Sequence, residues 1–413
     1  MITNEQLIAE INKKTRERAL LYITREKERA QGLENQLTNY QIISSSQLLD
    51  TAGIIEKKTF PLKSNIIVFK NNAKIKRLAK EKNLRLLNPD YALAEKFENK
   101  ISQLQWLKKI IPKNLPLSII ILPTDISFKK LAEKLGGAFI AQFNRGHSGE
   151  GTFLISQKKQ WEELVEKFPQ REIKCSQFFK SPTFTLNACV WHGKKISGVI
   201  SGNPSFQITG IKSLTDFPFS TLGNDWSLAN KLLCSRDLLE IKKITEKIGL
   251  AMEKENWKGL FGLDLIKGDG KWLVVEINAR QPASTGLETI LQQQQGRGIT
   301  ILGAHFASLL KIAFQPEMEK SFQKINFGSQ LIVRNKIGSN NAKFKKSLYN
   351  DDWKRVCERR FLGSDPIKIK WGRGKKINEE VFRVQNFKSG MVNKNGQLNN
   401  LAKKIINQIH QID

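Results

Sequence analysis

Cysteine is scarce in this chain: four in 413 residues, Cys175, Cys189, Cys234 and Cys357, with no two in a CxxC pair. The histidines are also four, and none stands at a zinc-ligand spacing from the cysteines, so a disulfide framework and a structural zinc site are both excluded and reduced thiols follow. Long hydrophobic runs are missing. No apolar stretch approaches the roughly 20 residues that span a bilayer, and Met1 to Thr15 mixes Asn, Glu, Gln and Lys without an apolar signal core. The expectation is a cytoplasmic protein that does not enter a membrane. Acidic residues are in short supply, 39 against 68 Lys and Arg, for a net charge of +29. Such a surplus collects polyanions by counterion release. The basic residues are nevertheless spread along the whole chain, and there is no interleaved aromatic and basic platform, no helix-turn-helix and no zinc module. A solvated basic surface is the simpler reading, and nucleic acid is not the expected partner. No repeat of solenoid type is present.

What is present is a globular composition, 40% hydrophobic and 26% charged, long enough for several domains. ALLYI (Ala19 to Ile23), YQIIS (Tyr40 to Ser44), NIIVF (Asn65 to Phe69) and RLLN (Arg85 to Asn88) alternate with charged helical stretches, which predicts an N-terminal parallel α/β domain over 1–115. The first strand runs into Thr24-Arg25-Glu26-Lys27 with no GxGxxG turn, so a dinucleotide site is not supported there. One long helix is predicted from Tyr91 to Ile111, stopped by Pro112. A central region follows over 116–315. In it AFIAQF (Ala138 to Phe143) leads through Asn144-Arg145-Gly146-His147-Ser148-Gly149-Glu150-Gly151 into TFLIS, which reads as a hairpin flap. A helix is expected from Ser227 to about Gly249 and another near Leu287 to Gln295. Residues 316–413 read as a β-rich C-terminal region closed by a helix with Leu398, Leu401, Ile405 and Ile409 on one face.

The chemistry concentrates in FGLDLI and WLVVEINAR. Strand alternation puts Trp272, Val274, Glu276 and Asn278 on one face. If Gly268-Asp269-Gly270 form a three-residue loop, Asp264 pairs opposite Val274, diagonal to Glu276, on the same face; a two-residue loop would turn Asp264 away. Three hard oxygen donors so placed suit magnesium. The plainer alternative is a pair of solvated acids on an exposed hairpin, but Leu263, Leu265, Val275 and Ile277 read as buried strand positions. Arg280, one step on, offers a planar guanidinium that clamps a phosphate or a carboxylate. The glycine-rich loop can cradle phosphate with its free N–H groups and with Ser148 and Thr152. It has no GK[ST] and precedes a strand, so it is not a Walker loop, and a plain tight hairpin remains the alternative.

Taken in order, the helix with Lys100, the flap Arg145 to Thr152, the segment Lys174-Cys175-Ser176-Gln177-Phe178-Phe179 and FGLDLI...VVEINAR resemble the ATP-grasp superfamily, which includes biotin carboxylase and the carboxylate-amine ligases. The resemblance covers about Tyr91 to Leu310. It implies a Rossmann-like domain before the grasp, then a two-subdomain α+β fold, divided near 175, with ATP between a flap subdomain and a metal-site subdomain. It further implies adenine near Ser176, Gln177, Phe178 and Phe179, and phosphates under the flap against Gln142, Arg145, Ser148, Gly149, Gly151, Thr152 and Lys100. Asp264, Glu276 and Asn278 would bind one or two magnesium ions, for which manganese could substitute. Arg280 would act catalytically on the transferred phosphoryl group. The implied reaction activates a carboxylate as an acylphosphate for capture by an amine, a ligase chemistry with small-molecule carboxylate and amine substrates.

One departure stands out. The strand before the flap offers a lysine to the phosphates in that family, and here the position is Gln142, for which Arg145 could compensate. A nucleotide-binding regulatory protein without turnover is therefore an alternative, and a basic nucleic-acid-binding protein is another. Trp226, Phe184, Thr185 and Asn187 are placed by the resemblance near the acceptor pocket. Gly372 to Lys376 (GRGKK) reads as a β-turn with solvated ends.

Overall fold

A computed structural model of the chain describes residues 1–45, 50–146, 151–296, 298–316, 325–336, 367–371 and 377–410. They form two compact units, each drawn from three stretches of sequence: Met1–Pro116, Leu186–Asn203 and Ser235–Lys324 in the first, and Leu117–Thr185, Pro204–Cys234 and Ile325–Asp413 in the second. The sequence reading instead draws continuous boundaries at 115 and 315.

The first stretch opens with helix α1 (Asn4–Thr15), followed by β1 (Leu20–Thr24), β2 (Tyr40–Ser44), α2 (Thr51–Lys57), β3 (Asn65–Val68), α3 (Ala73–Glu81) and β4 (Arg85–Leu86). Asp50 and Asn72 cap α2 and α3 by accepting from backbone N–H groups inside the first turn. The four strands are parallel in the order β2-β1-β3-β4. The LLYIT run is apolar throughout because both faces of β1 are covered. Leu21 and Ile23 pack with α2 and α3, while Leu20 and Tyr22 pack with Leu7 and Ile11 of α1.

The single helix expected from Tyr91 to Ile111 is two helices, α4 (Tyr91–Glu98) and α5 (Lys100–Ile110). They break at Asn99, whose backbone is extended (φ −68°, ψ 125°). The Ser102 hydroxyl donates to the Lys96 carbonyl (2.7 Å), which the break releases from helical pairing, and also reaches the Asn99 carbonyl (3.2 Å), which accepts from the Gln103 N–H as the first bond of α5.

In the second unit, β5 (Ser118–Ile121), α6 (Phe128–Leu135), β6 (Phe139–Phe143), β7 (Thr152–Ile155), α7 (Lys158–Lys167) and β8 (Ile173–Gln177) build an antiparallel sheet in the order β5-β8-β6-β7. Phe139, Ala141, Phe143, Ile173 and Cys175 form a core on one face with Leu131 and Leu135 of α6 and Trp161 and Leu164 of α7. β9 (Thr183–His192) begins in the second unit and passes into the first, where β10 (Ser197–Ser201) pairs with it. β11 (Ser205–Thr209) and β12 (Thr221–Asp225) pair antiparallel in the second unit.

The helix expected from Ser227 to Gly249 is again two: α8 (Trp226–Leu232), capped by Asp225, and α9 (Ser235–Lys254), with Leu233 extended at the end of the first. The first unit then continues with β13 (Gly259–Gly268), β14 (Lys271–Asn278), α10 (Thr285–Gln295) and α11 (Ile301–Leu309). In the second unit β15 (Ser329–Arg334), β16 (Ile367–Trp371) and β17 (Glu380–Asn386) extend β12 as an antiparallel series. The final helix, α12 (Asn400–His410), buries Ala402, Ile405 and Ile406, with Leu398 buried just before it. The GRGKK segment lies outside the described residues.

Candidate active site

β13 and β14 meet through a two-residue turn, Asp269-Gly270, and not the expected three-residue loop: Gly268 pairs with Lys271. Both turn residues have positive φ, 50° and 74°, as a type I′ turn requires, and Asp-Gly is a sequence that readily adopts it. A straight ladder from that turn would turn Asp264 away from Glu276. The ladder is not straight. A bulge between the Leu265–Val274 and Asp264–Glu276 pairs leaves Val275 without a partner position and sets Asp264 directly opposite Glu276, with Gly262 opposite Asn278. Directly opposed residues share a face, so Asp264, Glu276 and Asn278 lie together, by a route different from the expected one. Trp272 and Val274 lie on the other face, and the Trp272 indole and Lys267 ammonium both donate to Asp237 Oδ1 there.

The break at Asn99 positions the cations. Gln103, one turn into α5, clamps the backbone of Ile277 from both sides: its Nε2 donates to the Ile277 carbonyl (2.8 Å) and its Oε1 accepts from the Ile277 N–H (3.0 Å). Lys100, one turn earlier on the same helix face, forms an ion pair with Glu276 and is 7% exposed at the side chain. Glu98, the last residue of α4, pairs with Arg280 Nε at 2.9 Å and with Lys70. The Arg280 guanidinium donates to Asn278 Oδ1 (2.9 Å), and Asn278 Nδ2 donates to Asp264 (3.3 Å). One charged network thus runs Lys70–Glu98–Arg280–Asn278–Asp264, with Lys100–Glu276 beside it. Sequence reading singled out neither Glu98, Lys70 nor Gln103, because a charged or amide residue on a helix or after a strand carries no sign of a partner on another element.

Among the described residues no group of three or more His, Cys, Asp or Glu could hold a metal ion by itself. The donor set is two carboxylates and an amide whose oxygen already accepts from Arg280. That fits a magnesium ion whose remaining ligands are phosphate oxygens and water, and does not fit an all-protein cage.

In the second unit, Gln142, Lys174 and Thr152 stand opposite one another on β6, β8 and β7, with Ile120 of β5 beside Lys174. The neighbouring row on the same sheet face is Ser118, Ser176, Ile140 and Leu154. The Ser118 hydroxyl donates to that of Ser176 at 2.8 Å, and Gln142 Nε2 reaches the Thr152 hydroxyl at 3.4 Å. This face is the reverse of the one that carries the aromatic core. Gln177, opposite Phe139, lies on the core face instead, Phe178 and Phe179 follow the strand end half-buried, and Arg145 is exposed. Gly151 has φ +74°, and a Cβ there would lie 2.9 Å from the Phe143 ring, so only glycine fits. Ser148 and Gly149, with His147 and Glu150, lie outside the described residues.

The proposed acceptor-pocket residues are packed interior groups. In the second unit Trp226 and Phe184 are buried, the latter edge-on to Phe206 at 6.0 Å, and Thr185 is buried as well. In the first, Asn187 donates to Glu288 and to the Ser284 hydroxyl, and the Asn203 N–H donates to the other Glu288 oxygen. Burial pushes the Glu288 carboxyl up to about 7 against these hydrogen bonds.

No protein-family model and no curated protein matches the sequence. Solved structures do match. The N5-carboxyaminoimidazole synthase of Aspergillus clavatus, solved with ADP and 5-aminoimidazole ribonucleotide, is similar over 95% of this chain and 99% of its own, at a TM-score of 0.61 and 11% identity. The chain has the ATP-grasp fold. The same ATP-grasp fold relates it to the N5-carboxyaminoimidazole synthetase of Staphylococcus aureus (95% and 98% covered, TM-score 0.57, 12% identity). It also relates the chain to the biotin carboxylase domain of Hydrogenobacter thermophilus 2-oxoglutarate carboxylase, solved with MgADP, ADP and bicarbonate (92% and 83% covered, TM-score 0.56, 11% identity). At these identities the likeness is one of fold. Among the described residues no helix is long and apolar enough to cross a membrane.

Proposed function

We propose that this chain is an ATP- and magnesium-dependent ligase that activates a small carboxylate as an acylphosphate and passes the acyl group to an amine. The observation that carries the reading is the directly opposed pair Asp264 and Glu276, bracketed by Lys100 and Arg280 and joined through Asn278. Asp264 and Glu276, with the Asn278 amide, would hold magnesium, which neutralises triphosphate charge when bound. Arg280, kept in place by Glu98, presents a fixed guanidinium to the phosphoryl group in transfer. Lys100 is a second buried cation beside the same carboxylates.

In the reaction a substrate carboxylate oxygen attacks the γ-phosphorus as the bond to ADP breaks. The amine then attacks the acyl carbon and expels phosphate. No protein nucleophile is needed, and the site is correspondingly rich in charge. Bicarbonate, bound in the Hydrogenobacter structure, belongs to the substrate class to try first. Calorimetry of ATP with and without magnesium, on wild type and Glu276→Ala, followed by phosphate release against a panel of carboxylates with amine acceptors, tests the reading. Magnesium-dependent binding lost with Glu276, and phosphate release triggered by one carboxylate, support it. Absence of ATP binding sinks it. Binding without turnover favours the regulatory alternative, which the neutral Gln142 suggests.

A further inference from the structure

Lys174 is 4% exposed, although lysine is rarely buried without a charged or strongly polar reason. It sits on β8, a central strand of the β5-β8-β6-β7 sheet, directly opposite Gln142 of β6. Cross-strand neighbours in an antiparallel pair have Cβ atoms about 5 Å apart, less than the reach of a lysine side chain. The sheet face it occupies is not the one that makes the core. It carries two rows: Ile120, Lys174, Gln142 and Thr152 in the row that adjoins the flap, and Ser118, Ser176, Ile140 and Leu154 in the next. In the first row Lys174, Gln142 and Thr152 are polar, one of them cationic, beside the single aliphatic Ile120. The second has two aliphatic side chains beside two hydroxyls, and it lies toward Phe178 and Phe179. A nucleotide has the same polarity along its length, anionic phosphate at one end and an apolar base with polar edges at the other.

We infer that Lys174 supplies the cation that holds the nucleotide phosphates in the second unit, taking across the sheet the place that a lysine at position 142 would fill. The inference rests on the ATP reading above and adds to it a specific phosphate-binding residue. A purely structural lysine would act through the fold, without regard to where on the face its charge starts. A phosphate-binding lysine can be moved to the neighbouring strand and still work.

The test uses the full chain and three proteins: wild type, Lys174→Gln, and the double variant Gln142→Lys/Lys174→Gln, with calorimetry of MgATP and of adenosine and a melting curve for each. The single variant is expected to weaken MgATP by about tenfold or more, the loss of one charge-assisted contact, with adenosine affinity unchanged. The double variant is expected to return to within about threefold of wild type. Unchanged MgATP affinity in Lys174→Gln overturns the inference, as does an equal loss of adenosine and MgATP. If Lys174→Gln does not fold, the double variant decides: folded with near-wild-type MgATP affinity supports the inference, and folded with binding still weakened tenfold overturns it. A wild type that binds neither MgATP nor adenosine is a failure of the ATP reading itself and is recognised as such before any variant is compared.

Discussion

Glu98 and Lys100 stand on either side of Asn99 and engage different members of one charged site, Glu98 the Arg280 guanidinium and Lys100 the Glu276 carboxylate. A continuous helix would point residues i and i+2 in directions about 200° apart. The extended residue between them lets both reach the β14 edge.

Glu98 acts on phosphate through Arg280 and touches no substrate in the proposed reaction. Glu98→Gln keeps the shape and removes the charge that steadies the guanidinium. The expected result is a turnover number lower by about tenfold with the KM for ATP within about twofold, and Glu98→Asp should recover part of the rate. Steady-state kinetics with the accepted carboxylate check this; a change confined to KM would place Glu98 in nucleotide binding instead.

Lys100→Met leaves Glu276 and Asp264 facing each other without their buried counter-charge. Breaking such a pair costs about 3 kcal/mol, so the melting temperature should fall by several degrees. Magnesium alone, without nucleotide, should restore part of that loss in the variant and raise the wild type much less, as read in thermal unfolding with and without chelator. Equal magnesium responses would mean that the ion does not meet these carboxylates.

Asp264→Asn tests the ligand role most directly, because the amide can still accept from Asn278 Nδ2 while its charge is gone. ATP affinity in magnesium should drop by about tenfold to a hundredfold, and affinity in chelator should stay where it is. A parallel loss in both conditions would point to a fold defect.

The pH dependence of stability carries two opposed contributions from the first unit. Glu288 is raised from the usual 4.5 to about 7 by burial. Between those values the folded chain keeps a proton that the unfolded chain has released, so stability falls as pH rises through the window. His305 is pushed from 6.5 down to about 3 by burial and by nearby Lys258, and its Nδ1 accepts from the Leu260 N–H at 3.1 Å. Its contribution is whole above 6.5 and is lost as pH falls toward 3. The two slopes offset each other from 4.5 to 6.5. Glu288→Gln removes one of them, so its stability relative to wild type should climb between pH 5 and 7, by up to about 3 kcal/mol. Denaturant unfolding at three pH values checks this, and parallel curves would show that Glu288 does not titrate there.

How far the sequence was legible varied with the range of the forces involved. The strands at Leu20 and Asn65 could be read because burial on both faces leaves short apolar runs, and the edge strand at Tyr40, only partly buried, could be read from its apolar Ile42-Ile43 pair. The breaks at Asn99 and Leu233 could not, since helical periodicity continues through both and the break depends on local side-chain bonds such as those of Ser102. The shared face of Asp264 and Glu276 was expected from the wrong turn length. Asp269-Gly270 selects a two-residue turn, and the compensating bulge falls at Val274-Val275, where neither residue carries a bulge signature. Gln142 was legible as a missing charge. Lys174 was in view in the same segment as Ser176, but its meaning depends on which strand lies beside β8, and only the sheet order supplies that.

The pairing of Gln142 with Lys174 also bears on how such chains vary. Two lysines opposite each other would set like charges close together across the strands, and two neutral residues would leave the phosphates unmatched. Homologous chains should therefore carry the positive charge at one position or the other, exchanging it between strands as a coupled substitution. An alignment column at either position would look variable, while the pair taken together would not.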